Sequence, residues 1–392
     1  MALKAVHVAD IPNIGQVPEN ASPALCPNRF PPQGVEIGRA AAGAAFRPPK
    51  FVVIGHRGSG MNVLQSSDRR MKDLKENSLR SFNAAADYFA DYIEFDVQVT
   101  KDDCPVIFHD DFILSQENDT ILEKRVTELS LAEFLSYGPQ REITGGGGGG
   151  GATGKPLVRR MKDGKILRWS VEADDPLCTL QEALEKVNPN LGFNIELKFD
   201  DHVSYPQDHL RRVLGTVLRV VFEHANDRPI LFSTFQPDAA VMAKKLQSTY
   251  PVFFLTNGGS EAYPDPRRNS LEEAVKVCEE GGLEGIVSEV KGVFKNPAAV
   301  NKIKGSNLTL FTYGQLNNVV EAVYMQHIMG IDGVIVDLVG EISAAVADML
   351  RPSEEEVRDG GDGEEMKTDE KPKFSPKELS FLLKLIPQLI QH

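Results

Sequence analysis

A (β/α)8 barrel carrying an inserted subdomain is the α/β fold the sequence predicts, on three observations. From Phe51 onward strand-like and helix-like runs alternate, the pattern of a parallel sheet wrapped by helices. Nine strand candidates follow in order, at 51–55, 91–99, 105–109, 192–197, 230–235, 252–256, 285–290, 308–313 and 333–337. Only Thr100-Lys101-Asp102-Asp103-Cys104 separates the second from the third, too short for a parallel crossover, so those two form a hairpin. Setting the return strand 105–109 aside leaves eight parallel strands, the number that closes a barrel.

Ahead of the barrel, residues 1–47 are rich in Pro, Ala and Gly and lack periodicity, which predicts an irregular N-terminal arm. A transit segment is the other reading. The stretch has little Ser and carries Asp10, Glu19 and Glu36, against the composition of such segments. The barrel domain is expected over 48–350. Within it, alternation lapses across 112–176, where a short helical signal at Ser130-Leu131-Ala132-Glu133-Phe134-Leu135 stands before a glycine run, Gly145–Gly151. A loop of that length inside a domain is usually functional or an inserted subdomain, and this one, directly after His109, should overhang the site. Gly154-Lys155 does not make the glycine run a phosphate loop. Pro156 stands where Ser or Thr would ligate magnesium, and no strand precedes the glycines. The run reads as a low-complexity tether. After the barrel come an acidic, disorder-prone linker over 351–374 and an apolar helix over 375–392, opened by Ser375-Pro376. The apolar face of Leu379, Leu382, Leu383 and Leu385 needs a cover: its own barrel first, otherwise a second copy, making a homo-oligomer, or a membrane surface.

Composition narrows the class. A formal charge of −13 predicts no nucleic-acid partner and obliges an anion site to gather its own positive charge. Cys26, Cys104, Cys178 and Cys278 are dispersed without a CxxC pair, which fits a reducing compartment. No apolar stretch reaches bilayer-spanning length, so no stable membrane insertion is expected. The expectation is an intracellular protein.

Four short stretches end β-rich runs and carry the charge: Gly55-His56-Arg57-Gly58, Glu94-Phe95-Asp96, His109-Asp110 and Glu196-Leu197-Lys198. Side chains alternate along a strand, so Glu94 and Asp96 share a face, as do Glu196 and Lys198. If Val99 opposes Pro105, then Phe95 opposes His109, and the fold-back delivers His109 beside Glu94 and Asp96. Glu94, Asp96 and Glu196 are hard oxygen ligands suited to Mg2+, with Ca2+ as the alternative. Arg57 suits bidentate phosphate contact, and Lys198 adds a point charge. His56 and His109 are the side chains whose unperturbed pKa lies near neutrality and are natural acid–base partners; which donates and which accepts is left open. Singly, each feature means little, since a lone histidine is usually structural and an isolated Lys–Glu pair usually solvated. All of them fall at the C-terminal edge of consecutive strands, where such barrels keep their chemistry. The reaction class is cleavage of a phosphate ester.

The run from His56-Arg57-Gly58 through Glu76-Asn77-Ser78, Glu94-Phe95-Asp96-Val97, Pro105-Val106-Ile107-Phe108-His109-Asp110 and Asn194-Ile195-Glu196-Leu197-Lys198 resembles the glycerophosphodiester phosphodiesterase family. The likeness covers roughly residues 50–345, and the lead segment with the long insertion resembles the small plant enzymes of that family. It implies a TIM barrel, a divalent metal on Glu94, Asp96 and Glu196, and catalysis by His56 and His109 with Arg57. It further implies that Asn77 and Tyr313 join Arg57 and Lys198 in contacting substrate. One departure stands out: Thr312-Tyr313-Gly314 occupies a strand motif where many members carry Trp. The implied activity is hydrolysis of small glycerophosphodiesters, such as glycerophosphocholine and glycerophosphoethanolamine, to sn-glycerol 3-phosphate and an alcohol. The implied setting is lipid turnover and phosphate recycling, in a plastid in preference to the cytosol. Two rival readings are a lysophospholipase D working on membrane lysolipids and a catalytically silent metal- or phosphate-binding barrel.

Overall fold

The strands fall where the apolar alternation puts them. In the computed structural model, which describes residues 46–117, 120–140, 154–201 and 203–351, they are β1 (Val52–Gly55), β2 (Tyr92–Val99) and β3 (Pro105–Ile107). Four further strands lie in the insertion: β4 (Phe112–Glu117), β5 (Thr120–Arg125), β6 (Leu157–Arg160) and β7 (Ile166–Arg168). The chain then continues with β8 (Gly192–Leu197), β9 (Ile230–Thr234), β10 (Val252–Thr256), β11 (Gly285–Glu289), β12 (Thr309–Tyr313) and β13 (Gly333–Val336). Eight parallel strands close in the order β1, β13, β12, β11, β10, β9, β8, β2, with β1 pairing β2. β3 runs antiparallel to β2 in the expected register, Val99 opposite Pro105 and Val97 opposite Ile107. It takes over the edge of β2 beyond Ile93, where the β1 pairing ends.

Period-two alternation divides each strand between two cores. Ile93, Phe95, Val97 and Val99 face outward and pack with helix residues such as Phe82, Leu180 and Leu184. Tyr92 lies in the other set, inside the barrel with Ile54, Leu231, Phe253 and Phe311. Phe46 joins that inner set, its ring edge-on to Phe253 at 5.8 Å, while its carbonyl accepts from the hydroxyl of Thr309 at the start of β12. The lower end of the barrel is thereby filled with apolar side chains. The upper end is left to polar ones.

The insertion is more regular than its sequence suggests. β5, β4, β6 and β7 form a four-stranded antiparallel sheet, in addition to the short helix Leu131–Leu135 with its capping box at Ser130 and Glu133. These strands escape a periodicity reading because they are short and their burial does not alternate: β4 buries three residues in a row and β5 none. The insertion has its own core, in which Phe134, Tyr137, Leu157 and Trp169 pack against Val106 and Phe108 of the barrel hairpin. The glycine run, the lead segment up to residue 45, and the linker and apolar helix beyond Arg351 lie outside the described residues.

Candidate active site

Register alone brings the acidic residues together. Asp96 on β2 is the direct partner of Glu196 on β8, and Glu94 stands two residues earlier on the same inward face. One oxygen from each of Glu94, Asp96 and Glu196 lies within 4.8 Å of the others, and all three residues are buried. Burial and the neighbouring charges of Asp96 and Glu196 push the Glu94 carboxyl up to about 8. Asp96 is held below the usual carboxylate range: burial works against it, but His109, Arg57 and Lys198 outweigh that cost. Arg57 and Lys198 offset only part of this charge, since Glu94 is still pushed up, so all three carboxylates ionise together only with a further cation among them. Asp96 Oδ1 is buried and accepts no hydrogen bond among the described residues, although Lys198 Nζ lies 3.7 Å away. The donor set therefore fits a hard divalent ion.

Two histidines flank this triad. His56 follows β1, one step past the Gly55–Ile93 pairing, and its Nε2 reaches 4.0 Å from Glu94. Its Nδ1 meets Asp337 Oδ1 at 2.8 Å, and Asp337 is itself held by Asn318 and by the Met61 N–H. Burial lowers the imidazole, but Asp337 more than compensates, and its pKa is raised above the ordinary value. His109 follows β3, and its Nδ1 meets Asp110 Oδ1 at 2.7 Å. Burial and the charges of Arg57 and Lys198 bring it down to about 4.

The cations sit between the acids. Arg57 takes φ 50° and Gly58 φ 98°, so the chain turns left-handed just after β1. A Cβ on Gly58 would meet Ser81 Oγ at 2.4 Å, so both the turn and the close approach require glycine there. The turn lets the Arg57 N–H donate to Glu94 Oε2 at 2.9 Å, while Arg57 Nη1 donates to Glu76 at 2.8 Å. Arg57 Nε is 3.6 Å from Asp96 and makes no hydrogen bond among the described residues. Lys198 Nζ lies 2.9 Å from Glu196. Asn77 Nδ2 donates to Asp96 Oδ2 at 2.8 Å. A cavity of about 530 Å³ opens beside His109, Glu196 and Lys198, walled by Phe199, Phe235, Tyr263 and Arg268. Tyr313, at the end of β12, sets its ring edge-on to Phe235 and its hydroxyl against Asn257, and is not among the residues that line this cavity.

Four residues that sequence reasoning did not assign complete the constellation. Asp337 and Asp110 hold the two histidines, and Glu76 holds Arg57. Arg159, from β6 of the insertion, pairs with both Asp110 and Glu76. Asp337 had a legible signal, a carboxylate one residue beyond a barrel strand. Arg159 had only its place in the short basic stretch Arg159-Arg160-Met161-Lys162.

Fixed positive charge, a place for a divalent ion and two poised imidazoles on a barrel rim define a class, the metal-dependent hydrolases of phosphoric diesters. Comparison with known proteins narrows it: the profile described as "Glycerophosphoryl diester phosphodiesterase family" matches residues 56–341, and the chain belongs to that family. It is 61% identical, over all of both chains, to the chloroplastic glycerophosphodiester phosphodiesterase GDPD1 of Arabidopsis thaliana. A glycerophosphocholine phosphodiesterase of Schizosaccharomyces pombe is 33% identical over 75% of this chain and 28% of its own length. Among solved structures, a phosphodiesterase of Oleispira antarctica in complex with sn-glycerol-3-phosphate superposes with a TM-score of 0.52. It is 22% identical and covers 76% of this chain and 97% of its own. At that identity it shows the same fold.

Proposed function

We propose that the protein hydrolyses water-soluble glycerophosphodiesters, with head groups such as choline and ethanolamine, to sn-glycerol 3-phosphate and the free alcohol. The observation that carries this is the Asp96–Glu196 pairing with Glu94 beside it, flanked by His56, His109, Arg57 and Lys198. Glu94, Asp96 and Glu196 would hold Mg2+, or Ca2+, and a bound divalent ion supplies Lewis-acid charge to the phosphoryl oxygens. Arg57 offers its free Nε, and Lys198 its ammonium, to the same oxygens as negative charge grows on them.

His109, lowered by burial among cations, is the proton acceptor. It takes the proton from the attacking oxygen, which is water or the 2-hydroxyl of the glycerol. His56, raised by Asp337, is the donor: it protonates the alcohol oxygen as the phosphorus–oxygen bond breaks. Attack by the 2-hydroxyl leaves a cyclic phosphate, which water then opens with the two roles exchanged. Asn77 orients Asp96, and Tyr313 backs the Phe235 wall of the cavity. A plastid location is supported by the full-length likeness to a chloroplastic relative.

A coupled glycerol 3-phosphate assay tests the reading across choline, ethanolamine, glycerol and inositol head groups, with Mg2+, Ca2+ or chelator. Metal-dependent release from at least one diester is the expected result. No release with any metal would overturn it.

A further inference from the structure

Arg159 belongs to the insertion, yet its guanidinium lies among the catalytic groups. It stands on β6, 49 residues beyond Asp110 and 83 beyond Glu76 in the chain. Its fork closes on Asp110 with Nε to Oδ2 at 2.9 Å and Nη2 to Oδ1 at 2.7 Å. Its remaining nitrogen, Nη1, lies 3.1 Å from Glu76 Oε1 and 3.2 Å from Oε2. Asp110 in turn holds His109 Nδ1, and Glu76 holds Arg57. The result is a chain of alternating charge, His109–Asp110–Arg159–Glu76–Arg57, in which each link is within hydrogen-bond reach. The guanidinium also stacks 4.2 Å above the ring of Trp169, which the insertion supplies too and whose indole N–H donates to Asn62. A planar, bidentate cation fixed by stacking orients a carboxylate where a lysine would only neutralise it.

We infer that Arg159 is a positioning residue for His109, acting through Asp110, so that the insertion completes the active site as well as overhanging it. The inference rests on the proposed role of His109. Asp110 alone has freedom to turn, being adjacent in sequence to the histidine it orients and close to the surface of the cavity. The bidentate bond from Arg159 removes that freedom, and the Glu76 contact anchors the fork from the other side. His109 is thereby kept with Nδ1–H directed at Asp110 and Nε2 left for the substrate. The insertion must be seated for this to hold, because β6 is held in place by its pairing with β4 and by the insertion's own core.

The test uses the full chain with Mg2+ and glycerophosphocholine. Arg159→Gln and Arg159→Lys should both lower kcat by about tenfold to a hundredfold, the usual effect of losing an outer-sphere orienting partner, with KM nearly unchanged. In an Asp110→Asn background, Arg159→Gln should add little, because the two changes break the same link. Arg159→Lys retains the charge and is the variant expected to melt near the wild type. It decides the matter if Arg159→Gln folds poorly. A second readout needs no turnover. The low-field Nδ1–H resonance of His109, assigned by its loss in His109→Asn, should be sharp in the wild type and broadened by exchange in Arg159→Lys. Wild-type kcat in Arg159→Lys, a loss that multiplies with that of Asp110→Asn, or an unaltered His109 resonance would overturn the inference. Failure of the proposed function reads differently: the wild type then releases no glycerol 3-phosphate, while the resonance still reports on Arg159.

Discussion

Asp96 and Glu196 illustrate how little the chain needs to do to assemble a candidate metal site at this position. Parallel register makes them neighbours, and inward alternation adds Glu94. Their mutual repulsion is the counterpart of a bound ion, so neutralising them should be tolerated by the fold and fatal to function. Glu94→Ala, Asp96→Ala or Glu196→Ala should each abolish turnover, with thermal melting kept near that of the metal-free wild type for Glu94→Ala and Glu196→Ala, whose carboxyls are pushed up, and lowered for Asp96→Ala, which loses its pairing with Arg57 and Lys198. Equilibrium dialysis with Mn2+ as a probe should show the lost ion, and retained activity of Glu196→Ala in chelator would contradict the assignment. Asp337 gives a second prediction. Its contact raises His56, whose protonated form is lost as pH rises through its pKa. Asp337→Asn lowers that pKa, so the alkaline limb of the kcat/KM profile should move to lower pH, with kcat reduced about tenfold to a hundredfold. An unmoved limb would show that another group sets it.

At the scale of elements, the hairpin β2–β3 and the insertion behave as one piece. Phe108 and Val106 of the hairpin pack into the insertion core, and Phe108 also lies near Trp169, at 5.9 Å between ring centroids. Trp169 is the only tryptophan in the chain, so its emission reports the insertion without interference. Phe134 is fully buried there, and Phe134→Ala should cost about 3–5 kcal/mol locally. Trp169 emission should then shift to the red at a lower urea concentration than the far-UV circular dichroism of the barrel. Coincident transitions would mean that insertion and barrel unfold as a single unit. Activity should follow the tryptophan transition, since Arg159 leaves the site when the insertion opens.

For the whole molecule, the barrel is complete by Arg351. β13 closes onto β1, the helix Val339–Met349 covers that seam, and among the described residues Asp337 is the last of the candidate site. A chain truncated after Arg351 should keep kcat on soluble glycerophosphodiesters, and any loss should appear in melting temperature, sedimentation or vesicle binding. A truncation that melts normally yet loses catalysis would place part of the tail in the active site.

Nine strands, the hairpin that explains the ninth, and the placing of seven charged residues at the candidate site were legible because each leaves a local mark: apolar alternation, a turn too short to cross over, or a charge at a strand end. β4 to β7 left no such mark, since their burial follows no period of two: three consecutive residues are buried in β4 and none in β5. The left-handed turn at Arg57 and Gly58 has only a faint one, a single glycine. Asp337 and Asp110 leave a mark as carboxylates at strand ends, but the pairings of Asp337 with His56 and of Arg159 with Asp110 leave none. Asp337 is 281 residues from His56, and Arg159 reaches Asp110 from another sheet, so each pairing exists only once the chain has closed on itself. Residue type and strand position announce that a carboxylate or an imidazole will stand on the rim. Its partner, and with it the direction in which its pKa moves, depends on burial and on charges a few ångströms away. Those are properties of the assembled barrel, and local patterns do not encode them.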